Sequence, residues 1–368
     1  MSRTPSFAVI SGAQVQQVVG GRENDVIRVV EAAYRLHGAG ETVNPDSYFL
    51  RFPDRPSSRI IALPASVGGK VDVHGIKWIS SFPENVAEGI PRASAVLVLN
   101  DTTTGYPFAC LESSIISAAR TAASAALAAV LLSERRQVRP SRVGFVGAGV
   151  IARYIHSYLA ASGFDFESVG VHDLSADHAR GFAGYLARTG RIEPTVHDTA
   201  EELVRASDLI VFATVAAEPH VTDLGWFSHN PLVLHISLRD LSPEIVLGSC
   251  NVVDDVEHCL KAATSPHLAE QRTGNRDFIA GTLFDVLTGT SVPDADRPVI
   301  FSPFGLGVLD LALARYVYDQ VAASGDLVTV PGFFHDLQRH ENPPTPRPPG
   351  DEGAARPRRG GEQAGGQP

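Results

Sequence analysis

Near the N-terminus, apolar residues recur at helical spacing. Val26, Val29, Val30, Ala33 and Leu36 share one face of a 3.6-residue repeat, which predicts a helix over Asp25–His37 closed by Gly38. Just before it, Ser11 and Gln14 have capping-box spacing and open a shorter first helix. The pattern then changes. Ile60–Leu63, Gly75–Ser80, Ala95–Asn100 and Pro107–Cys110 are short β-type runs punctuated by Gly, Pro and Asp, with Asp101–Gly105 reading as a hairpin turn. An Ala-rich helix is expected over Ser113–Ser133, and Gln137–Pro140 as a linker.

From Ser141 onward strand-like and helix-like segments alternate. Val143–Val146, Ser168–His172, Leu209–Ala213, Leu232–Ile236, Asn251–Val253 and Val299–Phe301 are the strand candidates. That alternation predicts an α/β chain with a doubly wound parallel sheet, joined to an α+β domain built from the earlier segments. The apolar helix expected over Val308–Val321 is assigned back to the first domain. The expected division is therefore 1–138 with about 308–335, and 139–307. Residues 340–368 are mostly Pro, Gly, Arg and Gln, too poor in apolar side chains to order themselves.

Length and charge narrow the function. At roughly 150 residues per domain, 368 residues allow two domains. A net charge of −10 argues against a general nucleic-acid binder. Cys110, Cys250 and Cys259 have neither metal-type spacing nor a disulfide framework. The N-terminal residues lack the long apolar stretch of a secretion signal. Ala118–Leu132 is short for a membrane span and carries Arg120, so it reads as a buried helix. The expectation is a soluble cytoplasmic protein without bound metal, nucleic acid or membrane.

The chemistry concentrates around one turn. The run Val143–Val146 leads into Gly147-Ala148-Gly149-Val150-Ile151-Ala152, the Gly-x-Gly-x-x-Ala form of the dinucleotide fingerprint. Such glycines let the backbone approach a pyrophosphate seated on the following helix N-terminus. Asp173 ends the next strand candidate, where an acid holds the adenine ribose hydroxyls and repels a 2′-phosphate. Leu174, Ser175 and Ala176 follow without an arginine, so NAD is the expected cofactor. Lys77 interrupts an apolar strand and either faces solvent or is paired. Arg120, among small residues, is either a buried ion-pair partner or a fork for a substrate carboxylate. Arg59 is a weaker candidate of the same kind. Asp240 and Thr214 each follow a strand candidate, at the carboxyl edge where open parallel sheets bind ligands. There Asp240 is either a general base or a loop cap.

Lys77, the run Ala119-Arg120-Thr121-Ala122-Ala123, the fingerprint and Asp240 together resemble the ornithine cyclodeaminase/μ-crystallin family. The resemblance implies a Rossmann-type NAD domain, a substrate-binding and dimerisation domain, and a homodimer. Carried over by position, it implies Lys77 and Asp240 as catalytic and Arg59, Lys77 and Arg120 as carboxylate-binding. It further implies Thr121, Gly147, Ala148, Gly149, Val150, Ile151, Asp173, Thr214 and Gly305 as cofactor-lining. Segments Lys77–Asn85, Gly89–Asp101, Thr104–Ala128 and Phe301–Asp310 resemble one branch most. That branch oxidises N-(1-amino-1-carboxy-2-ethyl)glutamate to 2,3-diaminopropionate and 2-oxoglutarate for siderophores and peptide antibiotics, downstream of a pyridoxal-phosphate-dependent synthase. SFPEN in the substrate loop and LSPEI after Asp240 depart from the cyclodeaminase pattern, which makes ornithine cyclisation, or a related imine reductase or amino-acid dehydrogenase activity, the alternative.

Overall fold

The computed structural model describes residues 5–190, 192–291 and 296–335. The composition-biased segment 340–368 lies outside them. Among the described residues the chain forms two eight-stranded sheets.

The first sheet begins with β1 (Ala8–Ile10), followed by helices α1 (Gly12–Val19) and α2 (Glu23–Gly38). Ser11 caps α1 in a complete capping box with Gln14. Then come β2 (Thr42–Val43), β3 (Tyr48–Phe52), β4 (Arg55–Val67), β5 (Val73–Ser81), β6 (Ala93–Asn100) and β7 (Pro107–Glu112), and the long helix α3 (Ser114–Arg136). Register explains the alternation. Leu63, Lys77, Leu97 and Leu111 stand directly opposite one another on the inner face. Ala62, Trp78 and Val96 form the neighbouring row on the outer face, extended by Tyr48 of β3. One lysine therefore stands in a buried line of leucines.

The second sheet is parallel throughout. Its elements are β8 (Arg142–Val146), α4 (Val150–Ala161), β9 (Ser168–His172), α5 (Ala176–Thr189), β10 (Thr195–Val196), α6 (Ala200–Ala206) and β11 (Leu209–Phe212). After these come β12 (Leu232–His235), α7 (Pro243–Leu247), β13 (Cys250–Val253), α8 (Val256–Cys259), α9 (Ser265–Thr273), β14 (Ile279–Thr282), α10 (Leu283–Thr288) and β15 (Val299–Ser302). The order β10-β9-β8-β11-β12-β15-β13-β14 reverses direction between β8 and β11. That switch point opens a crevice at the carboxyl ends of the strands.

Helix α11 (Gly307–Ser324) then returns to pack on α2, α3, β4 and β5, and β16 (Val328–Thr329) closes on β1. Helix α3 is long and apolar enough to cross a membrane, but most of it is buried inside the protein. Its alanines let α2, α4 and α11 approach closely. The short strands β1, β2, β3, β10, β14 and β16 had no signal in the hydrophobic pattern. They are edge or near-edge pieces whose place is set by a neighbour's backbone.

Candidate active site

Gly147 and Gly149 occupy the turn from β8 to α4, and their roles differ. Gly147 has φ +98°, and a Cβ there would stand 2.6 Å from the Ala213 carbonyl oxygen after β11. The glycine is needed for the crossing of two loops. Gly149 has an ordinary φ of −82°, and a Cβ there would meet nothing within 4 Å. As N-cap of α4 it supplies no side-chain acceptor, and the first turn carries no acid. The N–H groups of that turn are left for an anion, which the helix dipole favours.

Around the turn, Val150, Leu174 and Val215 are exposed apolar side chains at the carboxyl ends of β8, β9 and β11. They suit a flat, apolar base. Asp173 accepts the Ala148 N–H at 2.9 Å and the Ser175 N–H at 2.8 Å, which fixes the acid at the rim of the turn. The residues present thus fit a dinucleotide. Gly149→Ala tests this directly. It is expected to leave thermal unfolding of the free protein unchanged while weakening NAD binding about tenfold or more, one tenfold step being about 1.4 kcal/mol, as read by calorimetric titration.

Two constellations stand beside the crevice. In the first, Lys77 and Arg120 share Asp310. Lys77 Nζ donates to Asp310 Oδ2 at 2.6 Å and Arg120 Nε donates to Oδ1 at 3.0 Å, with Asp310 wholly buried in the first turn of α11. Lys77 is therefore paired and not solvent-facing. Burial pulls its ammonium down to about 8, against the pull of Asp310. Of the two readings of Arg120, the structure shows the ion pair. Its Nε is in an ion pair, while its terminal nitrogens have no hydrogen-bond partner among the described residues. Those nitrogens lie against Gly305, which has φ +91° and whose Cβ would fall 2.6 Å from Arg120 Nη1. The buried Asp254 holds this loop by accepting the Phe304 and Gly305 N–H groups at 2.9 and 2.7 Å. Thr121, one residue beyond Arg120, turns its hydroxyl to the Ser117 carbonyl.

In the second constellation Asp240, also buried, is surrounded by donors. Thr214 and Ser237 donate hydroxyls to it and His220 Nε2 lies 3.1 Å from Oδ1, while His235 Nε2, 3.2 Å from Oδ2, accepts the Asp240 backbone N–H at 3.2 Å. Burial pushes the carboxyl up, but hydrogen bonds from His220, His235 and Ser237 outweigh it and hold the group well below the usual carboxylate range. The loop carrying His220 is pinned by its own and the Val221 N–H groups to the Asp240 carbonyl. The His220 side chain is 43% exposed, so it is the member of the pair that meets solvent.

Sequence reasoning missed Asp310, His220 and His235. Asp310 and His235 each left a faint trace, namely an acid in the apolar helix run VLDLALA and a histidine ending the apolar strand LVLH. His220, in a polar loop, left none. Arg59 is half-buried on β4, two same-face rows from Lys77, and the structure does not bring it into the Lys77–Arg120–Asp310 group.

A family model for the ornithine cyclodeaminase/mu-crystallin family matches residues 13–325. The chain belongs to this family. Among its relatives, the N-((2S)-2-amino-2-carboxyethyl)-L-glutamate dehydrogenase of Staphylococcus aureus is 27% identical over 326 residues, covering 84% of this chain and 94% of that one. The Δ1-pyrroline-2-carboxylate reductase of Thermococcus litoralis, solved with NADH and L-proline, superposes with a TM-score of 0.80 at 25% identity, covering 88% of this chain and 99% of that one. An archaeal alanine dehydrogenase dimer with bound NAD gives a TM-score of 0.78 at 25% identity, covering 89% and 100%. Membership in the family confirms the resemblance carried by the fingerprint, Lys77, Arg120 and Asp240, and the Rossmann-type sheet order matches the fold it implied.

Proposed function

We propose that this family member is an NAD-dependent dehydrogenase of a secondary amine, converting N-(1-amino-1-carboxy-2-ethyl)glutamate to 2,3-diaminopropionate and 2-oxoglutarate. This is the substrate in the staphylococcal relative's name, written there as the 2-amino-2-carboxyethyl compound. The observation that carries the reading is Arg120. Its Nε is held by Asp310 while its terminal nitrogens lie against Gly305 in the loop after β15, a disposition that supports a carboxylate-binding role. Substrate of this kind is supplied by a synthase joining glutamate nitrogen to a three-carbon amino acid, a task suited to pyridoxal-phosphate chemistry.

Gly147, Ala148, Gly149, Val150 and Ile151 would hold the pyrophosphate, Asp173 the adenine ribose, and Thr121, Thr214 and Gly305 the nicotinamide half. Bound NAD supplies a two-electron hydride acceptor. Arg120 and Lys77 fix the carboxylate next to the reacting carbon, and Arg59 takes another. Orientation is their main contribution, since hydride transfer needs near-contact geometry. Oxidation of the substrate's C–N bond leaves an iminium that water attacks. Asp240 remains ionised throughout and stabilises that cation. Its depressed pKa makes it a weak base, so the proton acceptor in this reading is the histidine bonded to it that meets solvent. His220, oriented by Asp240, takes the proton from water, and Lys77 relays one to the departing amine. The carbinolamine then collapses to amine and oxoacid.

Lys77 makes a pH prediction. It is cationic below about pH 8 and loses its charge above, so kcat/KM is expected to fall on the alkaline side with a limb near that value. Lys77→Arg, charged throughout, should move the limb upward. An unshifted limb would assign it to another group.

We further propose a soluble cytoplasmic homodimer formed through the outer face of the first sheet. Tyr48, Trp78 and Val96, aligned across β3, β5 and β6, are exposed there, and the archaeal neighbour is a dimer. Light scattering of the wild type and Trp78→Glu reads this out.

The deciding experiment is absorbance at the NADH band with NAD and N-(1-amino-1-carboxy-2-ethyl)glutamate, with mass spectrometry of the products. Equimolar NADH, 2,3-diaminopropionate and 2-oxoglutarate are expected. Proline from ornithine without net NADH, or turnover of a cyclic imine alone, would replace this reading with a cyclodeaminase or an imine reductase.

A further inference from the structure

Strand register sets a second group of cations on the wall that carries Lys77. Along β5 Lys77, Ile79 and Ser81 point to one face, and their partners across to β4 are Leu63, Ile61 and Arg59. Strand β3 continues the last row by placing Arg51 opposite Arg59. Arg92, just before β6, donates from Nη1 to Ser81 Oγ at 2.7 Å and so stands beside the same row. Arg239 arrives from the other sheet, immediately before Asp240, with Nε and Nη2 on the Ala262 carbonyl at 3.2 and 2.8 Å.

These side chains act on one another. Burial and the charge of Arg51 both weaken the hold of Arg59 on its proton, and burial and Arg59 do the same to Arg92. Arg239 is affected first by burial, then by Arg59 and Arg51. None of Arg51, Arg59, Arg92 and Arg239 has a carboxylate at ion-pair distance among the described residues. The acid nearest in effect is Asp240, already bonded by Thr214, Ser237 and its histidines. Like charges facing each other across a sheet destabilise it, and half-buried cations without an acid add to that. A protein of net charge −10 has acids to spare, yet the cluster has none.

We propose that Arg59, Arg92 and Arg239 form an anion subsite, separate from the Lys77–Arg120–Asp310 group, that binds the remote carboxylates of the substrate. It makes the enzyme selective for a dicarboxylate or tricarboxylate over a simple α-amino acid. The substrate identity rests on the function proposed above, but the subsite's preference for dicarboxylates does not. Four residues of strand, roughly 13 Å, separate the Lys77 row from the Arg59 row, and extended arginine side chains shorten that span. Beyond the bonds to Ser81 and Ala262, Arg92 keeps its Nε and Nη2 and Arg239 its Nη1 without a hydrogen-bond partner among the described residues, and guanidinium donors of this kind suit carboxylates.

The test uses the full chain with saturating NAD at fixed ionic strength, and 2-oxoglutarate, glutarate and pyruvate as probes. Calorimetry and thermal unfolding are expected to show tighter binding of both dicarboxylates than of pyruvate. Arg92→Gln and Arg239→Gln should each lower 2-oxoglutarate affinity about tenfold or more, leave pyruvate and NAD binding unchanged, and unfold at the same or a higher temperature when free of ligand. Unchanged NAD binding certifies the fold of each variant. Equal affinity of the wild type for pyruvate and 2-oxoglutarate, or full 2-oxoglutarate affinity in both variants, would overturn the subsite. Dicarboxylate selectivity without turnover of the glutamate adduct would instead retain the subsite and remove the proposed reaction.

Discussion

Asp240→Asn is expected to bind NAD as the wild type does and to lose about 10²- to 10⁴-fold in kcat, the range for removing an acid–base partner or the acid that orients it. The buried carboxylate collects two hydroxyls and two imidazoles, and His220 is the partner that reaches solvent. The amide keeps the shape but presents an N–H where one donor points, so the histidine turns or changes tautomer. His220→Asn should then cost a similar factor, and the double variant little more than either single one, because the pair acts as a unit. Steady-state kinetics with separate NAD titrations read all three. Near-normal turnover of Asp240→Asn would remove the pair from the mechanism, and additive losses would give the two residues separate tasks.

Asp310→Asn should produce the largest loss of stability. It leaves Lys77 and Arg120 without their shared counter-charge at a place that water does not reach. Breaking a buried ion pair from one side costs about 3–5 kcal/mol. The unfolding temperature is expected to fall accordingly, and kcat/KM to fall with it as Arg120 loses the bond that aims its fork. The loss should be smaller at alkaline pH. Lys77 deprotonates more readily once Asp310 no longer holds its proton, and a neutral amine is cheaper to bury. An unfolding temperature equal to that of the wild type at every pH would show that Asp310 does not carry the pair.

The two predictions bear on different parts of the catalytic task. In the proposed mechanism Asp310 holds the substrate's anchor and Asp240 holds the proton acceptor. Neither acid is exposed, and each works through a side chain that is better placed to meet the substrate. This division fits a reaction in which a multiply charged amine must be oriented before it is oxidised and a water molecule must be activated afterwards.

The amino-acid sequence by itself determined the features whose causes are local. The capping box at Ser11, the strands around Lys77, the small-residue helix α3, the parallel strands from β8 onward and the glycine turn at Gly147–Gly149 all follow from side-chain periodicity or backbone freedom over a few residues. The fingerprint could name a cofactor because its chemistry lies in consecutive backbone groups. Only the tertiary structure decided the partners. Lys77 meets an acid 233 residues away and Arg120 meets the same acid 190 residues away. Whether Lys77 faced water or a carboxylate could not be read from strand alternation, since both faces of β5 carry apolar neighbours and only the return of α11 supplies Asp310. Arg92 and Arg239 look like ordinary surface cations until register sets Arg92 beside the Arg59 row and the loop after β12 brings Arg239 under the influence of the Arg59 charge. Periodicity states which way a side chain points within its own element. What it meets there depends on how distant elements pack, and that choice belongs to the whole fold.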